Sequence, residues 1–241
     1  MFSYKWLGQG GFDVALGDKR LIIDPYLSDS VVKVDGFKRV MPLPIEPKDL
    51  RADLIITTHD HQDHLDPDTI AYAPKGENAY AGPESCLEHM RELGIQDNQL
   101  HRLGSGDVMH LGEARIMGVP AVHTAPEAIG VFVEYHGVHL YFSGDTLYDR
   151  VLEDIGALRV DVMFICINGR LGNMDYHEAA KLAKILKPRV VVPNHYGMFV
   201  ENTIDPQLFV DEMQGSGIHV HVPEFNVACD IHALLGVSEN G

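Results

Sequence analysis

His59-Asp60-His61-Gln62-Asp63-His64 places three imidazoles and a carboxylate within six residues. Imidazole and carboxylate together suit a divalent cation such as zinc, iron or manganese. The run follows Leu54-Ile55-Ile56-Thr57-Thr58, an apolar β-type segment, so the donors sit on a turn at the end of a buried strand. In such a turn His59 and His61 can point to one side while Asp63 and His64 turn to another, giving two adjacent metal positions. The bland alternative is a solvated polar loop rich in histidine. The H-x-H-x-D-H spacing directly after a strand argues against it.

Other acids and histidines also close strands. His123 ends Val119-Pro120-Ala121-Val122, Asp145 follows Leu140-Tyr141-Phe142-Ser143-Gly144, and His195 follows Val190-Val191-Val192-Pro193-Asn194. Taken singly, His123 reads equally well as a half-buried packing residue, and Asp145 as a turn residue capping the next helix. In layered sheet folds such ends converge on one rim. The chemistry then fits His59, His61 and His123 around one metal, Asp63, His64 and His195 around another, and Asp145 as the bridge.

The elements that must hold these ends follow from periodicity. Phe2 to Leu7, Phe12 to Leu16 and Leu21 to Ile23 read as short antiparallel strands separated by glycine turns. Asp66-Pro67 starts a helix, and Pro83 to Leu93, with apolar Leu87, Met90 and Leu93, is an amphipathic one ending at Gly94. Strands return at Ala114 to Val122, Val131 to Tyr135 and Val138 to Phe142, the last two joined by a tight turn at His136-Gly137. Helices are expected at Tyr148 to Leu158, Tyr176 to Leu186 and Gln207 to Met213, alternating with strands Val160 to Ile167, Val190 to Val192 and His219 to Val222. Two halves of strands followed by helices, with no linker or repeat, predict an α/β four-layer αββα sandwich in a single domain, 1–241.

A chain of 241 residues with 45% hydrophobic content has enough apolar material for a large core. The formal charge of -16, from 35 acidic against 19 basic residues, repels a phosphate backbone, so neither nucleic acid nor an anionic membrane is an expected partner. No apolar run is long enough to cross a bilayer, and Met1-Phe2-Ser3-Tyr4-Lys5-Trp6 does not read as a signal peptide. A cytoplasmic location is expected. Cys86, Cys166 and Cys229 are odd in number and far apart, which indicates neither disulfides nor a thiolate metal site.

With all these parts in this order along the chain, the sequence resembles the metallo-β-lactamase superfamily, whose hydrolases carry H-x-H-x-D-H, a lone histidine, a bridging aspartate and a final histidine. The resemblance covers nearly the whole chain. Thr57 to Asp66, Ser143-Gly144-Asp145 and Val191 to Tyr196 look most like the L-ascorbate-6-phosphate lactonase-like branch. The β-lactamases of that superfamily have a cysteine where Asp145 stands, its flavodiiron proteins a glutamate where Gln62 stands, and its RNA-processing members a basic arm missing here. The resemblance therefore implies hydrolysis rather than redox chemistry, and a homo-oligomer.

Two divalent ions about 3.5 to 4 Å apart share a water and hold it as hydroxide. The expected activity is thus that of a dinuclear metal-dependent hydrolase using a metal-bridging hydroxide, with Asp63 as a catalytic ligand that also orients the nucleophile and Asp145 as the catalytic bridging ligand. Asp60 is either a support for a histidine ligand or a plain solvated turn acid. Arg170, after a buried strand, is a candidate to hold a carboxylate or phosphate, with a surface salt bridge as its duller role. Tyr196 and His177 are candidate donors to the substrate, though helix capping would also account for His177. His89, His101, His110, His136, His139, His219, His221 and His232 lack such strand-end company and read as surface or packing residues. The leading reading is a lactonase or esterase on a small, anionic, sugar-like metabolite. A phosphodiesterase is the alternative, and a non-catalytic metal-binding scaffold is a third, disfavoured by the intact set of seven ligands.

Overall fold

The computed structural model describes residues 1–237. The first half lays down β1 (Phe2–Gly8), β2 (Gly11–Leu16), β3 (Lys19–Ile23), α1 (Ser30–Val34), β4 (Leu54–Ile56), α2 (Pro67–Tyr72), β5 (Tyr80–Gly82), α3 (Glu84–Glu92) and β6 (Leu100–Arg102). The second lays down β7 (Val108–Leu111), β8 (Ala114–Pro120), β9 (Ile129–Tyr135), β10 (Val138–Phe142), β11 (Val162–Cys166), α4 (Tyr176–Leu186), β12 (Val190–Asn194), α5 (Pro206–Glu212) and β13 (His219–Val220). The chain then returns as β14 (Cys229–Asp230) and α6 (Ile231–Leu235). Two seven-stranded sheets result, ordered β14-β1-β2-β3-β4-β5-β6 and β13-β12-β11-β10-β9-β8-β7.

Alternation along the strands explains the layering. Leu21 and Ile23 of β3, and Leu54 and Ile56 of β4, enter the core between the sheets, whereas Ile22 and Ile55 point outward into a second core with Ile70, Leu87 and Met90 from α2 and α3. On the far side, Ala179, Ala180, Leu182 and Ala183 of α4 are buried against the second sheet. The expected αββα order is therefore observed.

Between the sheets the join is aromatic. Phe142 and Phe164 stack at 4.2 Å, and Phe164 meets Tyr4 and Phe12 of the opposite sheet edge-on at 4.9 and 4.8 Å.

One expected element differs in type. Arg150–Leu158 is a 3-10 helix rather than an α-helix from Tyr148, because Asp149 caps the run by accepting from the Val151 amide, and Gly156 inside it weakens α-helix propensity. Short β5, β6 and β7, helix α1 and the final β14 and α6 were not expected.

Strand direction sets the functional rim. β3 and β4 are parallel neighbours, β8 and β10 both run antiparallel to β9, and β10, β11 and β12 are parallel. Their C-terminal ends therefore lie at one edge of each sheet. The two edges are tied where the Ile129 amide, at the start of β9, donates to the Thr58 carbonyl at 3.0 Å.

Phe164→Ala should cost about 3–5 kcal/mol through the cavity it leaves between the sheets. Denaturant unfolding should report it as a lowered midpoint with little change in slope.

Candidate metal centre

All seven sequence-derived donors meet at this rim. Three overlapping groups, His59/His61/His123, His59/His64/Asp145 and Asp63/His64/His195, each have ligand atoms within 4.8 Å of one another. The His61 Nδ1 and His123 Nε2 atoms lie 3.1 Å apart. Asp145 stands between the sides: its Oδ1 is 3.1 Å from His195 Nε2 and 3.3 Å from His64 Nε2, and its Oδ2 is 3.9 Å from His123 Nε2.

His59 Nε2, His64 Nε2 and Asp145 Oδ1 are buried and make no hydrogen bond of good geometry, although Asp145 Oδ1 lies close to two imidazoles. A buried polar atom left without one costs about 1–3 kcal/mol, and three converging in one group call for a shared partner. Donors of nitrogen and oxygen, without thiolate, fit a divalent cation of the manganese, iron or zinc kind.

Electrostatics agree. Burial pushes His59 well below the ordinary imidazole range and lowers His123. Both are then neutral at pH 7, the state in which imidazole binds metal. Burial works in the same direction on His64 and His195, yet the carboxylates around them prevail. Asp145, Asp24 and Asp63 hold His64 well above the usual range, and Asp145 and Asp63 lift His195 to about 9. Burial raises Asp63 and Asp145, but the histidines prevail and hold both low. This concentration of negative charge attracts cations, whether protons on two histidines or metal.

The groups behind the donors were largely missed from sequence. Asp24, fully buried at the end of β3, accepts from the Thr58 amide and hydroxyl and sits 2.7 Å from His64 Nδ1, which turns Nε2 of that ring inward. This carboxylate–histidine pairing fixes the tautomer and orientation of a ligand. Asp24 closes the strand Leu21-Ile22-Ile23, so the rule that found Asp145 and His195 could have found it.

Gln9 is fully buried in the β1–β2 turn, donates to Asp63 Oδ2 at 2.8 Å and lies 3.1 Å from His195 Nε2. The His123 Nδ1 atom is 3.0 Å from the Gly172 carbonyl. Asn173 donates to Asp145 Oδ2 at 2.8 Å and to Asn168 at 3.0 Å, while Asn168 donates to Asn202 at 2.7 Å.

Several expected contributors stand elsewhere. Asp60 makes no hydrogen bond to a ligand histidine and instead lines the cavity; Asp24 has the supporting part. Arg170 is exposed and donates to the Glu201 carbonyl at 3.2 Å, since its neighbours Gly172 and Asn173, not its own side chain, turn toward the centre. His177 is exposed on α4 and paired with Glu212 of α5 at 2.9 Å. Tyr196 packs in the core against Trp6 at 4.8 Å, with its hydroxyl unpartnered and its pKa pushed up by burial. None of the three lines the cavity beside the donors.

That cavity, of about 540 Å³, opens onto His61, Asp63 and Asp145 and has walls from α1 and the segment after it, Thr124, Leu171, Gly172, Phe199 and Asn202. It is of the size that takes small ligands.

Asp24→Asn should weaken divalent metal binding by about 10- to 100-fold, because the amide cannot hold His64 as a carboxylate does. Chelator competition measures this, and circular dichroism should show the fold retained.

The profile of the beta-lactamase superfamily domain matches residues 19–196. A UPF0173 metal-dependent hydrolase of Caldivirga maquilingensis is 30% identical over 223 residues, covering 90% of this chain and 92% of that protein. One from Pyrobaculum arsenaticum is 32% identical over 209 residues, covering 85% and 88%. Among solved structures, Igni18, a metallo hydrolase from Ignicoccus hospitalis, superposes with a TM-score of 0.76 at 24% identity over 95% of this chain and 97% of that one. The chain thus belongs to the metallo-β-lactamase superfamily and, within it, to the UPF0173 metal-dependent hydrolases.

Proposed function

We propose that this metal-dependent hydrolase holds two divalent cations and cleaves a carboxylic ester or lactone of a small molecule. His59, His61 and His123 would hold one cation and Asp63, His64 and His195 the other, with Asp145 shared. The observation that carries the reading is the position of Asp145, whose two oxygens face opposite donor groups. Bound there, the pair supplies Lewis acidity toward a carbonyl oxygen and lowers the pKa of water toward neutrality.

The chain's own residues do the rest. Gln9 and Asn173 fix Asp63 and Asp145 by donating to them. No cysteine lines the cavity, and burial pushes Cys86 and Cys166 up to about 12 and raises Cys229. The oxygen of water bonds to the acyl carbon, the acyl carbon–oxygen bond breaks, and the leaving oxygen takes a proton, so an acid and an alcohol result. The likeness of Thr57 to Asp66, Ser143 to Asp145 and Val191 to Tyr196 to the lactonase-like branch supports an ester bond over a phosphodiester. The anionic, sugar-like character first expected of the substrate rested in part on Arg170 and loses that support. No helix among the described residues is long and apolar enough to cross a membrane, in keeping with a cytoplasmic enzyme acting on a small molecule.

Chelation should abolish hydrolysis, and reloading with manganese, zinc or iron should restore it at two ions per chain by metal analysis. The reloaded protein should cleave lactones or esters. Cleavage of phosphodiesters alone would transfer the reading to that class, and two bound ions with no cleavage would leave a metal-binding scaffold.

A further inference from the structure

The chemistry of the cavity walls says more about the substrate than the donors do. Among the described residues no lysine or arginine lines it. Beyond the donors its charges are acidic, Asp35 at the end of α1 and Asp60 in the donor loop. Of the bases nearby in sequence, Lys33 pairs with Asp68 at 2.6 Å, and Lys38 is exposed and outside the lining. Arg39, buried, donates to the carbonyls of Tyr26, Ser28, Met41 and Pro42, and Arg170 donates to that of Glu201. An anionic group extending away from the donors would therefore meet two carboxylates and no lining lysine or arginine.

Gln62, Thr124 and Asn202 add uncharged polar groups, and the remaining side chains of the walls are apolar. Val31, Phe37 and Phe199 form one small cluster, with the Phe37 and Phe199 rings 6.1 Å apart. Of the lining residues, Val34 and Leu171 are 63% and 62% exposed, a cost that an apolar ligand covering them removes.

We infer that the substrate is an uncharged acyl compound with a hydrocarbon tail, its reacting carbonyl beside Asp145 and its tail along Val34, Phe37, Leu171 and Phe199. Asp35 and Asp60 act as selectivity elements that reject a tail ending in a carboxylate or phosphate. This inference rests on the hydrolase reading for the orientation of the carbonyl, but the preference for the tail belongs to the walls and is measurable without turnover.

Binding of two non-hydrolysable probes, hexanamide and its ω-carboxylate analogue adipic acid monoamide, is followed by NMR titration of the metal-loaded and the metal-free protein. In the metal-free protein hexanamide should bind at least tenfold more tightly, and Asp35→Lys, a change at an exposed position, should shrink that ratio severalfold by strengthening binding of the carboxylate probe. Val34→Ser should weaken hexanamide alone. On p-nitrophenyl acetate, butyrate and hexanoate, kcat/KM should rise by roughly 3-fold per added methylene. Equal or tighter binding of the carboxylate probe to the metal-free protein, or binding of neither, overturns the inference. Preferential binding of hexanamide with no ester cleaved at two bound ions overturns the hydrolase reading and leaves the apolar ligand class standing.

Discussion

The centre depends on one buried carboxylate. Asp24 holds the backbone and hydroxyl of Thr58 with one hand and the His64 ring with the other, so it fixes both where the donor loop leaves β4 and which nitrogen of His64 looks inward. A carboxylate out of water is tolerable only when fully hydrogen-bonded, and these three contacts supply that. The backbone records the demand. Asp24, Gln9 and His195 all take left-handed conformations, with φ of 46°, 51° and 62°. Such conformations cost of order 1 kcal/mol or more each and persist where the surroundings over-determine them.

Much of this was legible in the sequence. Strand periodicity gave the longer strands of both sheets, and the habit of placing donors just past apolar strands gave the seven residues that the structure brings together. Less was legible behind them, for physical reasons. Asn168 and Asn173 are residue types common in any turn, and Gln9 is neutral in a glycine-rich turn, so nothing in their chemistry marks them. Asp24 precedes a proline and reads as an ordinary turn. Tyr196, Arg170 and His177 failed because nearness in sequence does not set direction. The ring of Tyr196 follows a left-handed His195 into the core, and a long charged side chain such as Arg170 reaches solvent more cheaply than a buried site. The short strands β5 and β6 carry too few residues to show a period.

The polar groups that orient Asp145 are amides, and that choice has electrostatic sense. Asp24, Asp63 and Asp145 already place three carboxylates in one buried region. A lysine or arginine in place of Asn173 would neutralise part of that charge and compete with a metal, whereas an amide donates without doing so. The loop from Asn168 to Asp175 thus serves through its backbone and small side chains, with Gly172 at φ 90° passing close over His123 where a Cβ would stand 3.0 Å from the ring.

The join between the sheets is aromatic, but it has a second fastening at the rim. His59, His61 and His64 issue from the first sheet, while His123, Asp145 and His195 issue from the second. Ions held among them would act as rivets through the open edge of the sandwich. Loss of metal would then be felt as a splitting of the two halves from the rim inward, and the chain would have mechanical as well as chemical cause to keep its cargo.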